Sequence, residues 1–138
     1  MPEKFSALHV LVVEDELLIR WAVAETLAAA GHAVIEAGDA ASAIHALTAA
    51  IDPIDAVVLD YRLPDSNDLT LLATIRHLSP GSAVILMTAF GTPEVTTGAL
   101  DLGAFQVVHK PFEMHDLEPL IHRACDSKSH LDSGPLDH

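Results

Sequence analysis

The chain has 138 residues, 50% of them apolar, and a formal charge of −13 from 20 acidic and 7 basic side chains. That length suits one domain with a core large enough to hold it together. The acidic excess argues against nucleic acid or an anionic membrane as a direct partner, because phosphate contacts need Lys and Arg; it favours a divalent cation or a basic protein surface. A lone Cys125, an opening Met1-Pro2-Glu3-Lys4 unlike a signal peptide, and the lack of an apolar run of transmembrane length predict a soluble cytoplasmic protein.

In chain order, strand and helix patterns alternate. Leu8–Val13 reads as a buried strand. Glu16 to Ala30 reads as a helix, with Ile19, Ala22, Val23, Leu27 and Ala30 on one stripe, and Gly31 stops it. Ala33–Glu36 is a shorter, less apolar strand that suits a sheet edge. Asp39 caps a helix reaching Ala50. Ile54–Leu59 is a second buried strand. Asn67 caps a helix ending near Leu78, ahead of Ser79-Pro80-Gly81. Ala83–Met87 is a third buried strand. Thr92 followed by Pro93 is a cap with proline at the first helical position, opening a helix to about Leu102. Phe105–His109 is a fourth buried strand, and the last helix runs from Met114 to Cys125. The first three buried runs do not alternate, so both their faces are covered, as in parallel sheets. The pattern predicts a doubly wound α/β sandwich over residues 1–125, with 126–138 a loose polar tail or the start of a linker.

Ligands of open α/β sheets bind outside the carboxyl ends of the strands. Those ends carry Glu14-Asp15, Asp60, Thr88 and Lys110-Pro111. Each has a plainer reading when taken alone. An acidic residue there is commonly a helix cap, a lysine a solvated loop residue, and a threonine a hydroxyl bonded to backbone. The set, drawn from four strand ends, is far more specific than its members. Packed carboxylates repel and raise one another's pKa, and a hard cation such as Mg²⁺ relieves that. Asp60 is then a candidate nucleophile towards a phosphoryl group. Lys110 offers that group a point charge and Thr88 a hydroxyl donor.

Four segments carry a resemblance: Val12-Val13-Glu14-Asp15-Glu16, Val58-Leu59-Asp60-Tyr61-Arg62-Leu63-Pro64, Leu86-Met87-Thr88-Ala89 and His109-Lys110-Pro111-Phe112. Over about residues 7–125 the chain resembles the receiver domain of two-component response regulators, and its local style is similar to the nitrogen-regulation type. The resemblance implies a flavodoxin-like three-layer sandwich, its five-stranded parallel sheet in the order 2-1-3-4-5. It implies that Asp60 is the phosphoacceptor, and that Asp15, Asp60 and the backbone carbonyl of Arg62 hold Mg²⁺, with Glu14 reaching the ion directly or through water. Thr88 and Lys110 would read the phosphoryl group, and the Lys110–Pro111 bond would be cis. The implied donor is a histidine kinase or phosphotransfer protein, and the implied reader an output domain or a homodimer partner. The domain would not be an enzyme beyond Mg²⁺-dependent self-phosphorylation from phosphodonors and slow autodephosphorylation.

Two positions depart from that family. Val107 stands where an aromatic that swings inward is common. The signal would then pass through Thr88, the loop Ala89-Phe90-Gly91-Thr92 and the helix behind it, whose Thr96, Thr97 and Gly98 give it low intrinsic preference. Asp68 stands where glycine is usual, so either the loop avoids positive φ there or Asp68 tolerates it. A rival reading, a haloacid-dehalogenase-type phosphohydrolase, needs a second Asp two residues after the nucleophile, and that residue is Arg62. A degenerate receiver kept only for binding would have lost an acidic or lysine position, and none is lost. His115 and His122 lack a third ligand and read as surface residues. Trp21 reads as partly buried packing and Cys125 as inert.

Overall fold

Along a strand successive side chains point to opposite faces, so an all-apolar strand needs cover on both. The structure, a computed structural model, describes residues 7–89 and 91–133, with side chains described as far as 126. In order the elements are β1 (His9–Val13), α1 (Leu17–Ala29), β2 (Ala33–Ala37), α2 (Ala40–Ala49), β3 (Ala56–Asp60), α3 (Thr70–Leu78), β4 (Ala83–Thr88), α4 (Pro93–Asp101), β5 (Gln106–His109) and α5 (Met114–Ser133). The strands form one parallel sheet in the order β2-β1-β3-β4-β5. On one face Leu11, Val13, Val57, Leu59, Val84 and Leu86 pack with Ala43 of α2, Leu72 and Ile75 of α3 and Ala99 of α4. On the other, Val10, Val12, Val58, Ile85 and Met87 pack with Val23 and Leu27 of α1 and Leu117 and Ile121 of α5. This is the expected flavodoxin-like three-layer sandwich.

Helix ends follow their local chemistry. Gly31 (φ 98°) and Gly103 (φ 104°) close α1 and α4 in the left-handed region. After α1, Gly31 N–H donates to the Ala28 carbonyl and His32 N–H to that of Leu27; after α4, Gly103 donates to Leu100 and Ala104 to Ala99. These paired bonds satisfy carbonyls that a helix end would leave open. Asp39 Oδ1 accepts the Ser42 amide at 2.7 Å, and Thr92 Oγ1 accepts the Val95 amide at 3.2 Å, as the sequence predicts.

Three expectations are corrected. The α3 helix starts at Thr70 rather than after Asn67, because Asp68 Oδ1 takes the Thr70 amide at 2.9 Å. The choice left open at Asp68 is settled rather than corrected: no described residue other than glycine has positive φ, so the loop avoids that region there. The β5 strand is not buried: Gln106 and His109 are exposed and the two valines between them half-buried, since this strand is the sheet's second edge. Finally α5 does not stop at Cys125 but continues to Ser133, through part of the segment expected to be loose, and it carries Pro119 inside.

Candidate functional site

Strand register sets the site. Val13 is level with Leu59, Asp60 with Met87, and Thr88 with His109. One step beyond β1 lies Glu14 and one step beyond β5 lies Lys110, so Glu14, Asp60, Thr88 and Lys110 line one rim. Two crossing backbone bonds hold it: Tyr61 N–H to the Met87 carbonyl and Lys110 N–H to the Thr88 carbonyl, both at 2.8 Å. The Lys110–Pro111 bond is cis, as expected.

The carboxylates converge as predicted. Glu14, Asp15 and Asp60 each present an oxygen within 4.8 Å of the others. Glu14 and Asp60 are 1% and 5% exposed, whereas Asp15 is exposed. Lys110 Nζ lies 2.7 Å from Glu14 Oε1 and 3.3 Å from Asp60 Oδ1. Glu14 Oε2 accepts the Glu16 amide at 3.1 Å, and Asp60 Oδ1 accepts the Arg62 amide at 3.4 Å. Burial, with the Glu14 charge beside it, pushes Asp60 up to about 6 from its ordinary 3.8, against the pull of Lys110. Burial draws the Lys110 ammonium down, but its hydrogen bond to Glu14 and the charges of Asp60 and Glu14 outweigh this and hold it above the usual lysine value.

Beside these groups lies a recess of about 370 Å³, lined also by Arg62, Pro64, Asn67, Thr88 and Ala89. At about 30 Å³ per water it has room for a hydrated cation with a small anionic group. Three carboxylates facing one ammonium leave net negative charge, and an all-oxygen donor set suits Mg²⁺ or another hard divalent ion. The donors present therefore fit a cation at Asp15 and Asp60. Arg62 lines the recess two residues after Asp60, where its carbonyl would be a further donor, and Glu14 already spends one oxygen on Lys110.

Two features were not legible in the sequence. Arg20 donates to the Glu14 carbonyl at 3.0 Å and to Glu36 Oε1 at 3.1 Å, clamping the end of β1 to β2. A Cβ at Gly38 would meet the Arg20 guanidinium at 2.8 Å, so the glycine makes that clamp possible. At the opposite end of the sheet, His122 has partners the spacing did not reveal. Glu118 Oε2 lies 3.0 Å from His32 Nε2 and 2.6 Å from His122 Nε2. The trio has the makings of a metal site, but the Leu8 amide donates to His32 Nδ1 at 3.0 Å. That fixes the ring proton on Nε2, the atom a metal would need bare, so the trio is a hydrogen-bond chain joining the starts of β1 and β2 to α5. Trp21 is 57% exposed rather than packed, and with Leu17 and Leu18 makes an apolar patch beside the rim.

Residues 10–122 match the family model of the response regulator receiver domain. The DNA-binding transcriptional regulator NtrC of Azospirillum brasilense is 31% identical over 132 residues, covering 96% of this chain and 27% of NtrC. An NtrX-like putative response regulator of Rickettsia conorii is 35% identical over 123 residues, 88% of this chain and 26% of that protein. Among solved structures, a CheY-like receiver domain protein from Methanospirillum hungatei superposes with a TM-score of 0.83 at 25% identity, over 90% of this chain and 98% of that one. The chain thus spans about a quarter of these NtrC and NtrX relatives and nearly all of the solved domain.

Proposed function

Because the chain belongs to the response regulator receiver domain family of two-component signalling, we propose that it accepts a phosphoryl group on Asp60. The carrying observation is a buried carboxylate at the end of the central strand, 3.3 Å from an ammonium, beside two further carboxylates and a recess. An Asp60 oxygen attacks phosphorus, the bond from phosphorus to the donor breaks, and the donor leaves with its electron pair. With a histidine donor the leaving group is an imidazole. Asp15, Asp60 and the Arg62 carbonyl would hold Mg²⁺, with Glu14 in support. The ion supplies Lewis-acid neutralisation of phosphoryl oxygens. Lys110 then trades part of its contact with Glu14 for a phosphoryl oxygen, and Thr88 donates its hydroxyl to another.

The donor is a histidine kinase or phosphotransfer protein acting in the cytoplasm, and the reader an output domain or a second receiver. The patch of Leu17, Leu18 and Trp21 directly after Asp15 and Glu16 supports a protein donor, since large apolar groups exposed together mark interaction surfaces. Catalysis is limited to taking the phosphoryl group from a donor and slowly losing it to water. The test is a Mg²⁺ titration followed by melting temperature. Millimolar Mg²⁺ should raise the parent's melting temperature by relieving carboxylate repulsion, and Asp15→Asn should blunt the rise. No rise in the parent, or an undiminished one in the variant, contradicts the cation site.

A further inference from the structure

Asp65 lies outside the proposed ligand set, yet it ties the loop after β3 to a different helix. Its Oδ1 accepts the Ala40 amide at 2.8 Å and its Oδ2 the Ala41 amide at 3.1 Å. These are the first two residues of α2, and the third, Ser42, donates to Asp39. A helix start leaves such amides without helical partners and carries partial positive charge, so a carboxylate arriving from another segment is held by charge-assisted bonds. The loop side of this tie is stiff. Leu63 and Ser66 exchange backbone hydrogen bonds of 2.8 and 3.2 Å around Pro64-Asp65, and Leu63 is buried in the core. Proline at the first corner presets that turn. Arg62, with the carbonyl assigned to the cation, is the residue next to this turn. The loop has no glycine, and near its far end Asp68 Oδ1 accepts the Thr70 amide at the start of α3.

We propose that Asp65 is a positioning residue for the rim: by bolting the 63–66 turn to the start of α2 it sets where the Arg62 carbonyl lies, and so couples α2 to cation affinity. This rests on reading Asp15, Asp60 and the Arg62 carbonyl as the cation's ligands. Asp39 supplies the control, because it caps the same helix without touching the loop. Mg²⁺ affinity is measured by calorimetry, and amide exchange at Leu63 and Ser66 by NMR, in the parent, Asp65→Ala, Asp65→Asn and Asp39→Ala. Asp65→Ala should weaken Mg²⁺ binding about 3- to 10-fold, at or below the usual effect of groups that orient metal ligands, and speed exchange at both amides. Asp65→Asn keeps one acceptor oxygen and should recover part of each. Asp39→Ala should lower the melting temperature yet keep parental affinity and exchange. Parental affinity in Asp65→Ala, or an equal loss in Asp39→Ala, overturns the proposal. A parent that binds no Mg²⁺ overturns the ligand reading instead, and the exchange comparison then decides whether Asp65 holds the turn.

Discussion

Asp60 is a carboxylate at 5% exposure beside another at 1%, an arrangement that costs stability unless positive charge is near. Lys110 supplies one such charge to two carboxylates. With the folded value near 6 and the ordinary value 3.8, the folded state holds the Asp60 proton more tightly than the unfolded chain does. The Asp60 contribution to stability should therefore fall as pH rises from about 4 through 6, then stay level. In chelator Asp60→Asn removes that loss, so it should be more stable than the parent at pH 7, by on the order of 2 kcal/mol, and lose the advantage near pH 4. Urea denaturation across that range with and without Mg²⁺ is the check; the ion should narrow the gap, and a gap independent of pH would contradict the account. The rim residues were legible because strand ends converge in any parallel sheet. Arg20, Asp65 and His32 were not, because their partners lie 6 to 86 residues away, across loops whose course only the fold determines.

Helices α1 and α3 each bury three residues, whereas α2 buries only Ala43 and α4 only Ala99. Helix α4 carries Gly98, which lowers its helix preference and where a Cβ would press on the tip of the Leu69 side chain, 2.8 Å from Cδ1. Gly91 ahead of it is also closely packed: a Cβ would fall 2.5 Å from the His109 ring and 2.9 Å from Thr88 Cγ2, so a larger residue would have to displace both. Phe90, placed in the switching loop on sequence grounds, lies outside the described residues. Val107 is half-buried on the edge strand and has no ring to swing. The lightly anchored α4 is accordingly the element expected to respond. Amide exchange with and without beryllofluoride should change most between Thr88 and Gly103; unchanged protection there with a response elsewhere would rule that route out. At the other end, His32→Ala should cost about 1–3 kcal/mol in urea denaturation by leaving the Leu8 amide without its acceptor and removing one of the two imidazoles on Glu118. Elements with strong caps or unbroken apolar runs were read to within a residue or two. The start of α3 was missed because the helix opens at Thr70, behind Leu69, with Asp68 rather than Asn67 taking its first amide, and the end of α5 because among the described side chains its core contacts reach only Cys125 while the helix runs to Ser133.

Across the molecule, one topological fact organises the chemistry. The order β2-β1-β3-β4-β5 puts β3 at the centre, and register brings the ends of β1, β4 and β5 beside it. The chain carries −13 overall, so the rim's single ammonium sits in a strongly negative field that favours a cation and a basic partner. Among the described residues no helix is long and apolar enough to cross a membrane. Fold and family were legible in 138 residues because unbroken apolar strands, their spacing and four motifs agree. What reads the switch was not, since the matched relatives extend well beyond the stretch they share with this chain. Whether Asp60 is the sole phosphoacceptor is tested most directly by intact-mass measurement after incubation with acetyl phosphate. The parent should gain the mass of one phosphoryl group when Mg²⁺ is present and none in chelator, and Asp60→Asn should gain none in either. Uptake that survives the substitution, or that ignores chelation, would contradict the account.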